Sequence, residues 1–252
     1  MNNIALITGA TAGIGEATAL LFARHGFRLI LTGRRHDRLE KLATDIASTH
    51  PVDVKTLSFD IRNLEETQQA FKALPREWQN IDVLINNAGL AAGLDPIHEG
   101  NVEDWETMID TNVKGLLYMT RLVSPLMVAR KKGHIINIGS IAGKESYPKG
   151  NVYCGTKHAV EGITKGMRLD LAPHNIKVSS ICPGAVETEF SMVRFKGDTT
   201  RADSVYEGFT PLYAEDIAEA ILFAATRPPH VTINDMLIMP TAQANATTII
   251  RD

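Results

Sequence analysis

Cysteine is scarce in this chain. Cys154 and Cys182 stand in unrelated contexts, so they make neither a disulfide framework nor a zinc knuckle, and a reducing compartment is the simplest expectation. The histidines are scattered, with no pair spaced to share one helix face, and no metal is assigned. Neither sign of charge dominates: a net charge of −3 leaves no electrostatic footprint for nucleic acid or an anionic membrane. No apolar run approaches the roughly 18 residues that span a bilayer. The chain runs from Met1 straight into an apolar stretch, Ile4 to Ile7, without a basic leader, so a soluble cytoplasmic protein is expected. Pro/Ser-rich linkers, charge runs, repeats and low-complexity tracts are also missing. The expectation is one domain over residues 1–252.

What the chain does contain is alternation. Short apolar runs at Ile4 to Ile7, Leu29 to Leu31, Val54 to Phe59, Val83 to Ile85, Ile135 to Ile138, Val178 to Ile181 and Met236 to Met239 predict strands. Between them, apolar residues at helical spacing predict helices, notably Leu39 to Ile46, Leu64 to Leu74, Trp105 to Val128, Tyr153 to Leu171 and Glu215 to Ala225. Continuous apolar strands alternating with amphipathic helices mean an α/β fold, a doubly wound Rossmann-type parallel sheet with helices on both faces. Its ligand is expected beyond the carboxyl ends of the strands. The longest stretch without clear periodicity, about residues 187–211, is expected to be a substrate lid.

Thr8-Gly9-Ala10-Thr11-Ala12-Gly13-Ile14-Gly15 joins the first strand to the first helix. Gly9, Thr11, Ala12, Gly13, Ile14 and Gly15 are therefore candidates for a phosphate cradle, where free N–H groups and the helix dipole meet the charge. The spacing is Gly-x-x-x-Gly-x-Gly, and glycines also make ordinary turns; the strand–turn–helix context favours the cradle. The next strand ends Thr32-Gly33-Arg34-Arg35, with no carboxylate to accept from an adenosine ribose. Two adjacent guanidinium groups suit a 2′-phosphate instead, so NADP is the expected cofactor. Asp60, with Ile61 beside it, stands where the third strand should meet the adenine, and Asn87 within Asn86-Asn87-Ala88-Gly89 ends the fourth strand beside the cofactor. Each could instead merely cap or turn the chain.

Tyr153 and Lys157 stand four residues apart on one helix face, and Ser140 ends a strand at the sheet's carboxyl edge. Hydride transfer to a carbonyl needs a hydrogen-bond donor for the forming alkoxide and a proton at hand. An ammonium about 5 Å from the phenol, at an effective dielectric near 20, would favour the phenolate by roughly 3 kcal/mol, about two pKa units.

Taken together, Thr8-Gly9-x-x-x-Gly13-Ile14-Gly15, Asn86-Asn87-Ala88-Gly89, Asn112, Ser140, Tyr153-x-x-x-Lys157 and Pro183-Gly184 resemble the short-chain dehydrogenase/reductase superfamily in order and spacing, over nearly the whole chain. The resemblance implies that Ser140 holds the substrate oxygen and that Tyr153 gives or takes the proton. It implies that Lys157 binds the nicotinamide ribose and lowers the tyrosine pKa, and that Asn112 orders a water in a proton relay. From sequence alone Asn112 would be a helix-interior amide facing solvent. Pro183, Gly184, Val186 and Thr188 match the segment that meets the nicotinamide, and Arg34 and Arg35 match the NADP-preferring members. Cys154-Gly155-Thr156 departs from the small residues usual between the catalytic pair, and Cys154 should point away from the chemistry.

Within the superfamily, Trp105 to Asn112, Phe190 to Asp198 and Ile233 to Pro240 are similar to NADP-dependent 3-hydroxy acid dehydrogenases, which act on serine, L-allo-threonine and related short acids. That likeness implies an oxidoreductase for the 3-hydroxyl of such acids, 3-hydroxypropionate among them, with a general carbonyl or 3-oxoacyl reductase as the alternative. A non-catalytic NADP-sensing protein is a third possibility, disfavoured by the intact Ser140, Tyr153 and Lys157. A carboxylate would be the main handle on so small a substrate, and Arg194, in the lid with Lys196, is the candidate to grip it. The resemblance further implies a homotetramer, with a dimer as second choice, through the two longest helices. Leu116, Leu117, Met119, Leu122, Val123, Met127, Val160, Ile163, Met167 and Leu171 are more apolar positions than one sheet-facing stripe requires.

Overall fold

The structure is a computed structural model that describes residues 3–252. Seven strands form one sheet: β1 (Ile4–Thr8), β2 (Arg28–Gly33), β3 (Val54–Ser58), β4 (Ile81–Asn86), β5 (Gly133–Ile138), β6 (Ile176–Pro183) and β7 (Asp235–Ile238). Their order is β3-β2-β1-β4-β5-β6-β7, and every neighbouring pair is parallel. The chain winds from β1 outward to β3, then crosses to β4 on the other side. The crevice at that reversal is where an open α/β sheet receives its ligand.

The period of two along each strand divides the apolar residues between two cores. Ala5 and Ile7 face α1 (Gly13–Arg24), α2 (His36–Thr49) and α9 (Ala214–Ala225), together with Leu29, Leu31, Val83, Ile85, Ile136 and Ile138. Ile4 and Leu6 face the other way, with Ile30, Leu84, Ile135 and Val178. They meet Phe71 of α3 (Leu64–Lys72), Met119 and Val123 of α5 (Leu116–Arg130) and Val160 of α6 (Asn151–Leu171). Each such fully buried aliphatic side chain is worth about 1.5–3 kcal/mol. Both faces are covered, which is why the strands read as continuous apolar runs.

Two buried asparagines in this interior tie helices to the sheet and strand to strand. Asn86 on β4 donates to Thr120 of α5 (3.0 Å) and to Asn137 of β5 (2.9 Å), and Asn137 donates to Thr164 of α6 (2.9 Å). Asn86 therefore turns into the core, and of the Asn86-Asn87 pair only Asn87 reaches the ligand side.

The predicted helix from Trp105 to Val128 is composite. α4 (Val102–Ile109) passes into a π-helical turn, Asp110–Gly115, before α5 begins. The third strand ends at Ser58, so Asp60 lies in the loop beyond it. The stretch without sequence periodicity contains two short helices, α7 (Phe190–Arg194) and α8 (Thr199–Ser204), the latter capped by the Asp198 side chain.

Candidate active site

A cavity of about 340 Å³ opens at the carboxyl ends of the central strands. The glycine loop forms one wall. Gly9 and Gly13 have φ of +67° and +55°, left-handed values that side chains rarely tolerate. The first turn of α1 has no side-chain cap, leaving its N–H groups for an anion. Of the predicted loop residues, Gly9, Thr11, Ala12, Gly13 and Ile14 line the cavity. Gly15 does not. A Cβ there would come 2.3 Å from the Gly9 carbonyl oxygen, so Gly15 lets α1 sit against its own approach loop. Asn87 braces that loop by donating to the Thr8 and Gly9 carbonyls at 2.9 and 3.2 Å.

Arg34, Arg35, Asp60 and Ile61 line the same cavity on the β2 side. Arg34 is the open group: more than half exposed, with Asp60 at 3.9 Å. Asp60 is gripped by Arg62, which donates to both carboxylate oxygens at 2.6–3.0 Å. Partial burial opposes ionisation, yet the Arg62 contacts outweigh it and hold the Asp60 carboxyl below its ordinary range. The carboxylate expected to meet an adenine edge is thus already committed to a neighbour two residues on. Pro183, Gly184, Val186 and Thr188 line the opposite side, and Glu189, Phe190 and Val193 cover the cavity from above.

Ser140, Tyr153 and Lys157 meet at the inner end. The Ser140 side chain accepts from Ala142 N at 3.1 Å, capping the turn Ile141–Gly143 that follows β5. Tyr153 and Lys157 are both buried on α6, and the Tyr153 ring packs edge-on to Phe190 at 5.7 Å. Lys157 donates to the Ile138 carbonyl at 2.9 Å, and its Nζ is 6.0 Å from the centre of the tyrosine ring. Burial pushes the lysine down to about 8. Burial also pushes the Tyr153 phenol above its ordinary value, the Tyr147 phenol adds to the shift, and Ser140 and Arg194 pull it back. The expected two-unit lowering by Lys157 is therefore not found. The ammonium turns to Ile138, and desolvation dominates. Cys154 packs away from the cavity among Leu90, Met108 and Ala142.

Asn112 is buried in the π-helical turn, which corrects the solvent-facing expectation. Its amide donates to Leu90 O (2.8 Å) and Thr156 Oγ1 (3.0 Å) and accepts from Leu90 N (2.8 Å). Both amide hydrogens are spent, so a water relay could use only the remaining acceptor position on Oδ1. A Cβ at Gly89 would sit 3.3 Å from that oxygen and 3.6 Å from Lys157 Nζ, so both groups reach the space beside the glycine.

Arg194 lies just outside the main cavity, in a small adjoining pocket that shares Tyr153. Its Nε donates to Gly93 O (3.2 Å), and its guanidinium carbon is 5.8 Å from the centre of the Tyr153 ring and 5.5 Å from that of the Tyr147 ring. Lys196 is elsewhere, paired with Asp104 at 2.9 Å. Sequence reasoning missed Tyr147, Arg62, Arg38 and Glu189. Arg38, one helical turn after Arg35, carried a legible signal; Glu189 finds its partners more than 150 residues away and carried none. Among the described residues, Glu161, Cys182 and Asp235 form the one group of possible metal ligands. The Lys144 ammonium is bonded into it, 2.8 Å from Asp235 and 3.5 Å from Glu161, making it an ion-pair cluster.

The glycine loop, the Ser140–Tyr153–Lys157 group and the parallel sheet agree with a family model described as short chain dehydrogenase, which matches residues 3–199. The chain belongs to that family. This short-chain dehydrogenase is 51% identical over 244 residues to the NADP-dependent 3-hydroxy acid dehydrogenase YdfG of Salmonella typhi, covering 96% of this chain and 97% of that one. It is 46% identical over 247 residues to the NADP-dependent 3-hydroxy acid dehydrogenase of Schizosaccharomyces pombe, covering 98% and 95% of the two chains. Among solved structures it resembles the closed form of a serine dehydrogenase complexed with NADP+, with a TM-score of 0.92, 47% identity and 99% of both chains covered.

Proposed function

We propose that this dehydrogenase oxidises the 3-hydroxyl of short 3-hydroxy acids of the serine, L-allo-threonine and 3-hydroxypropionate type, or reduces the matching carbonyls, with NADP as its cofactor. NADP+, when bound, supplies the hydride acceptor and a positive charge that favours the phenolate of Tyr153. The uncapped turn of α1 and the glycine loop would hold the pyrophosphate, and Arg34 the 2′-phosphate. Ser140 holds the substrate oxygen, Tyr153 takes its proton, and Lys157 orients the ribose and passes the proton on toward Asn112. The names of the relatives support the hydroxy acid and the cofactor. The helices α5 and α6 are proposed to build a homotetramer.

One observation carries the substrate class: the guanidinium carbon of Arg194 stands 5.8 Å from the centre of the ring of the acid–base residue. At that separation one small molecule can place its carboxylate on the cation and its β-hydroxyl on the phenol. Arg194→Ala should raise KM for serine by about tenfold or more, as loss of a charge-assisted hydrogen bond predicts, and should hardly change KM for a neutral alcohol of the same size. Equal effects on both substrates would place carboxylate recognition elsewhere.

A further inference from the structure

The two arginines that close β2 are engaged differently. Arg35 turns back over the glycine loop, its Nε and Nη2 donating to Thr11 Oγ1 at 3.1 and 2.9 Å and Nη2 also to the Thr11 carbonyl at 3.2 Å. Its Nη1 donates to Glu189 Oε2 at 2.7 Å, and the other oxygen of that carboxylate accepts from Arg38 Nη1, also at 2.7 Å. A guanidinium has five N–H donors, so Arg35 keeps too few for a two-point grip on a phosphate. Arg34 has no such commitment.

Glu189 immediately precedes α7, at the start of the segment that covers the cavity. Glu189, Arg35 and Thr11 all line the cavity, and the side chains of Glu189 and Arg35 are 46% and 42% exposed, which puts them at its rim. One carboxylate therefore ties the covering segment to α2 and, through Arg35, to the glycine loop. Hydrogen bonds from Arg35 and Arg38 hold the Glu189 carboxyl below its ordinary range, so it is ionised throughout the neutral range.

We infer that Glu189 is a cofactor-retaining strap, anchored by Arg35 and Arg38 and drawn across the rim over the pyrophosphate end, while discrimination by the 2′-phosphate is left to Arg34. This rests on the proposed use of NADP. A strap over the pyrophosphate does not see the 2′-phosphate, so its loss should release both nicotinamide nucleotides faster. Solvent-exposed ion pairs are individually weak and screened by salt, so the effect should be about threefold to tenfold and should fade at high ionic strength.

The test is the dissociation rate of NADPH and of NADH, followed by nucleotide fluorescence after rapid mixing with excess oxidised cofactor. Glu189→Gln should speed release of both by a similar factor, and Arg38→Ala, at the other anchor, should do the same. The double variant should be no faster than the quicker single one. Arg34→Ala should speed NADPH release selectively. Unchanged rates in Glu189→Gln would overturn the strap, as would an effect confined to NADPH. Slower NADPH release would overturn it too, by showing that the carboxylate competes with the 2′-phosphate for Arg35. A wild type that binds NADH but not NADPH would remove the NADP assignment while leaving the strap measurable on NADH alone.

Discussion

Tyr153 sits under opposing forces. Burial and the Tyr147 phenol keep its proton on, and the Ser140 hydroxyl and the Arg194 guanidinium favour its release. Since Arg194 is also the proposed carboxylate handle, one cation bears on both substrate grip and proton affinity. Tyr153→Phe removes the exchangeable proton and keeps the ring against Phe190. It should retain nucleotide binding and lose about 10²–10⁴-fold in kcat, the usual share of general acid–base catalysis. Turnover within tenfold of wild type, measured on a variant with unchanged NADPH affinity, would exclude the tyrosine as the acid–base group. At this scale the glycine loop, Ser140, Tyr153 and Lys157 were legible because short spacings on known elements bring them together. Lys157's orientation was not, since the Ile138 carbonyl that captures it comes from β5 and not from its own helix. The Asp60–Arg62 grip hides for a different reason: the two residues stand only two apart in sequence, but whether they bond depends on how the loop after β3 turns.

All seven strands were legible, with ends within two residues of those observed, because a sheet covered on both faces demands unbroken apolar runs. The π-helical turn at Asp110–Gly115 was not. Its sequence continues a helical pattern, and only the structure shows the local widening at Asn112, a feature often found at functional positions. The apolar surplus on α5 and α6 was overread. Leu116, Met119, Val123, Met127, Val160 and Met167 all pack into the core beneath the sheet. Leu122, Ile163 and Leu171 remain partly buried, and Leu117 and Leu169 are 40% and 78% exposed. Those residues are the apolar material left for a subunit contact. If the two helices pair across two-fold axes, light scattering at micromolar concentration should give a tetramer mass, and Leu117→Glu should shift it toward dimer or monomer. A monomer mass for the wild type would rule the assembly out.

Over the whole molecule, the winding order decides where chemistry can occur. The reversal between β1 and β4 opens the crevice, and the ends of β1, β2, β4, β5 and β6 each deliver residues to it. The segment from Glu187 onward then closes over the top, tied to α2 through Glu189, to the loop at Gly93 through Arg194 and to α4 through Lys196–Asp104. The lack of periodicity and the family likeness of Phe190 to Asp198 marked this segment in the sequence, but its tie points depend on contacts that no local pattern encodes. If a cation beside the acid–base residue defines the substrate, wild-type enzyme given NADP+ and a short 3-hydroxy acid is the decisive preparation, followed by absorbance of the reduced nicotinamide. Serine or 3-hydroxypropionate should then turn over with kcat/KM at least about tenfold above that of neutral alcohols of equal size, the worth of one charge-assisted carboxylate contact. Equal turnover of the neutral alcohols, or activity confined to acyl-carrier thioesters with the free acids silent, would contradict it.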